Sequence, residues 1–180
     1  MNVHDAIRIK RAIRKFSDEP LPEDIVRKIV NAGRRAQSAK NRQPWHFIII
    51  RERETLTKLS ELGTYAGHLA GAAMGVAIVT PDPNLRWSIM FDAGQAAAYM
   101  QLAAWELGVG SCLATIYQPE AARALLGLPK DWNLHVTLSF GYPAHPEQMT
   151  EKAKVGGRKN YGEVTHLERW PDDIQEILDW

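Results

Sequence analysis

Between Asp92 and Glu106 the chain carries no charge at all, and the run AGQAAAYMQLAAW there continues a helical pattern that starts at Trp87 and ends near Leu107. A helix that is apolar on nearly every side has to be buried on nearly every side. In a chain of 180 residues that burial comes more easily if a second copy covers one face than if the helix runs through the centre of a monomer. Ala93, Ala96, Ala97, Ala103 and Ala104 keep the helix surface low enough for close approach. The stretch therefore predicts a homodimer organised around this helix.

The other elements read from periodicity and punctuation. Helices are expected over 2–14, from Pro22 to about Ala36, over 52–62 and over 119–126, with a last turn or two over 171–180. In the second of these, Ile25, Ile29, Ala32 and Ala36 fall at helical spacing, and Pro22 suits a first turn. Continuous β-branched and aromatic runs predict strands at 46–51, 75–80, 111–115 and 134–141, with a final strand at 164–167. Residues 63–71 are small and glycine-rich and predict no regular element. From Ala144 onward the chain turns polar and reads as a surface arm of a single domain, 1–180.

Composition narrows the function. A net charge of +1 gives no bulk field for nucleic acid. One cysteine, Cys112, rules out an internal disulfide, fits a reducing compartment and reads as an inert core thiol. The N-terminus is charged from its first residues, and no apolar run reaches the roughly 20 residues of a membrane span. A cytoplasmic protein is expected. His4, His46, His68, His135, His145 and His166 are scattered, with no metal spacing, no HExxH and no Ser-His-Asp order. The glycines of Gly108-Val109-Gly110 follow a helix and precede a strand, the reverse of a dinucleotide fingerprint. Any enzyme here takes its chemistry from a cofactor.

Two polar stretches stand out. Ser38, Lys40, Asn41, Arg42, Gln43 and Pro44 join a helix end to the strand Phe47-Ile48-Ile49-Ile50, where they either hold a planar polar ligand or simply turn the chain. The segment KRAIRKF, Lys10 to Phe16, places Lys10 and Arg14, and Arg11 and Lys15, four apart on the expected helix. Like charges so spaced repel by about 0.2–0.5 kcal/mol per pair. The segment is either seeking an anion or is a solvated face.

Ser38, Ala39, Asn41, Gln43, Pro44, Trp45 and Phe47, in the pattern S-A-x-N-x-Q-P-W-x-F, together with KRAIRKF, resemble the FMN-dependent nitroreductase family over nearly the whole chain. The resemblance implies an α+β fold: three α/β/α layers around a mixed, mainly antiparallel sheet, with the C-terminal strand exchanged in an intertwined dimer. It implies FMN at the dimer interface, the phosphate held by Lys10, Arg11, Arg14 and Arg158. Arg14 would also direct a cation to the pyrimidine edge of the flavin, the one catalytic side chain expected. Gln37, Ser38, Ala39 and Asn41 would contact the ring and ribityl chain, from the other subunit in one arrangement. Backbone at Ala114, Thr115 and Ile116 would face N5. Ala12 stands where the family usually has serine, and Asn160 where proline is frequent. No counterpart of the family's ring-contacting amide and lysine is found in 63–71, where Tyr65 and His68 are the polar candidates. The implied activity is NAD(P)H-dependent reduction of nitroaromatics, quinones or similar acceptors in ping-pong order. A dehalogenase or flavin-fragmenting enzyme on the same scaffold and a non-catalytic flavin-binding dimer are the alternatives; the short stretch between Thr80 and Asp92 lacks the lid a dehalogenase would carry.

Overall fold

The computed structural model describes residues 2–150 and 157–170. Its centre is a four-stranded sheet of β1 (His46–Ile50), β2 (Met74–Pro81), β3 (Gly110–Thr115) and β4 (Trp132–Gly141), in the order β1-β2-β4-β3, with every neighbouring pair antiparallel. Among the described residues, one parallel bridge joins Ala12 to Ser111 outside the named strands. β2 and β4 occupy the centre, so their apolar runs are buried on both faces. Expected strand positions hold, with β4 two residues longer at its start.

Helices cover both faces. Helix α1 is Val3–Ile9, α2 is Glu23–Arg34, α3 is Arg53–Ser60, α4 is Ser88–Glu106 and α5 is Pro119–Leu126. On one face α2 and α4 enclose Val26, Ile29, Met74, Val76, Met100, Leu138 and Phe140. On the other, Leu56 and Leu59 of α3 and Ala122 of α5 pack with Ala77, Val79, Ala114 and Leu134. The three layers are thus present. α2 turns its face by one residue from the expected stripe: Val26, Ile29 and Gly33 are the buried positions. Gly33 explains this, because a Cβ there would lie 2.2 Å from Cε of Met100. A larger residue there would force the Met100 side chain aside, so glycine suits the close approach of α2 and α4.

α4 buries Ile89, Asp92, Ala93, Ala96, Ala97, Met100, Ala104 and Trp105. Its other side leaves Trp87 74% and Phe91 66% exposed, with Met90 and Tyr99 beside them. The single chain therefore leaves part of the surface of α4 uncovered. No helix among the described residues is long and apolar enough to cross a membrane.

Two expected elements take other forms. The helix expected over 2–14 stops at Ile9, with Asn2 as its N-cap through Asp5 N–H (2.9 Å). Residues beyond Lys10 run extended along the outer edge of β3: Ile13 N–H donates to the Ser111 carbonyl at 3.0 Å, and Phe16 bridges to Pro143. The sheet edge offers partners to backbone groups that a helix would have used internally, and it buries the β-branched Ile13 against Gly110. The like charges at 10/14 and 11/15 consequently do not stack on a helix. The strand expected over 164–167 is also absent. Residues Tyr161–Val164 form a short helix, α6, whose capping box pairs Asn160 with Glu163. The helical turns expected over 171–180 lie outside the described residues.

Candidate functional site

The extended basic segment and β3 form the first half of the site. β3 is an edge strand, and Ile116 N–H donates to the His135 carbonyl of β4 at 2.9 Å. By the alternation of an antiparallel ladder, Ala114 turns its N–H to β4 as Ile116 does, and Thr115 turns its N–H outward. The Ser111 carbonyl, accepting from Ile13, confirms that odd-numbered residues face that edge. Of the three backbone groups expected to face a ligand, only Thr115 has its donor on the open side. Beside it, Tyr117 N–H donates to the Leu62 carbonyl, and a Cβ on Gly63 would meet the Thr115 carbonyl oxygen at 2.1 Å. A glycine is required at that crossing.

Lys10 is half-buried, and its pKa is lowered first by burial. Arg158 lies near enough to lower it further, while the thiol of Cys112 acts in the opposite sense. Arg14 acts on both Cys112 and His68. The fold thus gathers Lys10, Arg14 and Arg158, from distant parts of the sequence, around one end of β3. Lys10 has no carboxylate partner among the described residues. Arg11 directs Nε to the Gln148 carbonyl at 2.7 Å, tying the start of the arm to the basic segment. Cys112 is buried, and burial pushes its thiol pKa up, as expected of an inert core thiol.

His68 is part of this cluster, on the short turn Gly67–Leu69, and is only 8% exposed. Its Nδ1 lies 2.8 Å from Ser139 Oγ, and Ser139 donates onward to the Cys112 carbonyl at 3.3 Å. Nε2 of His68 is buried and has no hydrogen-bond partner among the described residues. Burial first, and the Arg14 charge second, lower the His68 pKa. The neutral form is therefore the one the fold favours. Below the ordinary histidine value of about 6.5 the unfolded chain takes up this proton more readily than the folded one, so stability falls with pH. A pH series of melting temperatures from 7.5 to 5.5 should fall less steeply for H68Q than for the unsubstituted protein; equal slopes would remove His68 as a source of the acid sensitivity.

The second half is the loop from Gln37 to Pro44. Lys40, Asn41 and Gln43 all adopt positive φ, at 55°, 52° and 49°. None is glycine, so this backbone is strained and needs outside support. Ser38 Oγ accepts from Gln43 N–H at 2.9 Å, and Gln43 Nε2 donates to Asn41 Oδ1 at 3.2 Å. Asp92 of α4 supplies the long-range tie, accepting from Ala39 N–H at 3.0 Å. Gln37 and Asn41 are exposed, while Ser38 and Ala39 are half-buried. The loop's contacts thus run to α4 rather than to the basic segment. Asp92 was not among the expected site residues, although a single acid at the start of an otherwise charge-free stretch was the signal for it. Among the described residues no group of histidine, cysteine and carboxylate side chains is placed to hold a metal.

Residues 7–64 and 62–142 match the model described as the Nitroreductase family. A protein of Archaeoglobus fulgidus, provisionally named an NADH dehydrogenase/NAD(P)H nitroreductase, is 35% identical over 174 residues, covering 91% of this chain and 96% of that one. Among solved structures, an FMN-dependent nitroreductase from Clostridium difficile R20291 superposes with a TM-score of 0.80 at 27% identity, over 92% of this chain and 98% of that one. NfrA2 of B. megaterium shares the fold at a TM-score of 0.84 and 22% identity, over 96% of this chain and 77% of the other.

Proposed function

The chain belongs to the nitroreductase family of oxidoreductases, and from that premise we propose that it is an FMN-dependent enzyme that uses NAD(P)H to reduce nitroaromatic, quinone or similar acceptors. The observation that carries the reading is the cationic end of β3. Lys10 is half-buried, lies close to a second cation, Arg158, and has no carboxylate partner among the described residues. A half-buried lysine with a second cation in electrostatic range favours an anionic partner: a phosphate dianion would offset both charges and accept their hydrogen bonds. The residues thus fit the phosphate of FMN even though Ala12 brings no hydroxyl.

When bound, FMN supplies the redox chemistry, taking hydride from NAD(P)H and passing two electrons to the acceptor in ping-pong order. The chain's own residues bind and orient it. Lys10, Arg14 and Arg158 hold the phosphate end, with Arg11 joining them while it fixes the arm to Gln148. Arg14 places a permanent cation toward the pyrimidine edge, where negative charge develops, an electrostatic role. Thr115 offers an outward N–H toward N5, with Ala114 behind it in the core. Gln37, Ser38, Ala39 and Asn41 belong to the loop held by α4, and they reach a flavin across the subunit boundary. The exposed Trp87, Met90, Phe91 and Tyr99 form the surface on which the second subunit closes, and the arm beyond Ala144 wraps that partner.

Turnover tests this reading. Protein loaded with FMN should oxidise NADH or NADPH in the presence of a quinone faster than the same concentration of free FMN. A rate equal to free FMN would leave a flavin-binding dimer without catalysis.

A further inference from the structure

We propose that Asp92 is a positioning residue: its buried carboxylate, on the dimer helix, holds the strained Gln37–Gln43 loop in the shape that binds flavin. The inference rests on the flavin reading for its functional consequence, though its structural part does not.

The side chain of Asp92 is 4% exposed, and Arg86 Nη2 lies 3.8 Å from Oδ2. Such burial is unfavourable for a carboxylate unless its oxygens are used. Oδ1 accepts from Ala39 N–H at 3.0 Å, and that contact spans 53 residues of sequence. Oδ2 has no hydrogen-bond partner, and neither does Nε of Arg86. The ion pair is therefore loose, and the better-formed contact is the one to the loop. That contact falls immediately before Lys40, the first of the loop's three residues with positive φ. Left-handed backbone at lysine and glutamine persists only when the surroundings determine it, whereas asparagine adopts it more readily. Ser38 Oγ fixes the far end of the turn at Gln43, and Asp92 fixes the near end. Two ties, one local and one from α4, bracket the strained residues. An acceptor with full negative charge makes the stronger kind of hydrogen bond to a backbone N–H.

The test compares D92A, D92N and R86A in the full chain. D92A removes both the loop tie and the ion pair, D92N keeps an oxygen acceptor for Ala39, and R86A removes only the ion pair. Hydrogen exchange is followed at the Ala39 amide in flavin-free protein, and FMN affinity is measured by fluorescence titration. In D92A the amide should exchange about tenfold faster or more, and the FMN Kd should rise about 10- to 100-fold. D92N should restore most of the protection and affinity. R86A should lower the melting temperature while leaving Ala39 exchange and FMN affinity close to those of the unsubstituted protein. Unchanged Ala39 exchange in D92A would overturn the proposal, and so would equal loosening in R86A and D92A. If the unsubstituted protein takes up no FMN, the flavin reading fails by itself, and the exchange comparison still decides the role of Asp92.

Discussion

Replacing Arg14 by alanine should raise the FMN Kd about 10- to 100-fold, the loss expected when one hydrogen-bonding partner of a charged group is removed. Arg14 sits in the extended segment along β3, where its charge acts on Cys112 and His68. It is exposed and contributes little to the core, so the variant should melt close to the unsubstituted protein. NAD(P)H-driven turnover at saturating FMN should still fall by about tenfold or more, because a fixed cation at a site of developing charge is worth most in the transition state. Arg14→Lys should recover affinity better than rate, since the ammonium keeps the charge and loses the planar fork. An R14A enzyme with unchanged Kd and unchanged turnover would remove Arg14 from the site altogether.

The second large effect concerns the fold. Phe140 is fully buried in β4, paired with Met74 of β2 on one side and Ser111 of β3 on the other. Its ring fills the layer beneath α2 and α4, together with Leu138 and Met100. Phe140→Ala leaves a cavity that the rigid central strands cannot close, and should cost about 3–5 kcal/mol. For a chain of this size that corresponds to a drop in melting temperature of roughly 6–20 °C. Because β3 carries one wall of the site, the same substitution should weaken FMN retention as a secondary effect. A melting temperature within about 2 °C of the unsubstituted protein would mean that the core does not depend on this layer.

The regular core was legible because local and global preferences agree there. The strand around Val76 is β-branched and apolar and lies at the centre of the sheet, where such a run is needed, whereas the similar run Phe47–Ile50 forms the edge strand β1 and leaves Ile49 exposed. Pro119 and Gly127 bracket α5, and Gly127 takes the left-handed cap. The basic segment was not legible, since its sequence suits a helix and only the free edge of β3, a hundred residues away in the chain, supplies the competing hydrogen bonds. The helix expected for these charges is replaced by an extended segment along β3. His68 stood out only as a polar candidate in 63–71, and its pairing with Ser139 was not legible because sequence spacing does not connect the two. The loop at 38–43 was legible as a polar turn but not as a left-handed one, because lysine and glutamine carry no such preference and the support comes from Asp92. For α6, the Asn160–Glu163 capping box outweighed the β-branched pair Val164 and Thr165.

The charge-free stretch of α4 was the most informative feature for assembly. It predicted a second copy, and in the single chain Tyr99 within that stretch stays exposed, as do Trp87 and Phe91 just before it. The loop tied to Asp92 sits on that same helix, so the surface proposed to meet the partner and the loop proposed to meet the flavin share one rigid element.

The most direct measurement is the visible absorbance spectrum of the purified protein, with identification of whatever chromophore is released on denaturation. The account predicts a flavin spectrum, with FMN set free in a ratio near one per chain. A colourless protein that also fails to take up added FMN would contradict it, leaving the nitroreductase fold without the cofactor on which the proposed activity depends.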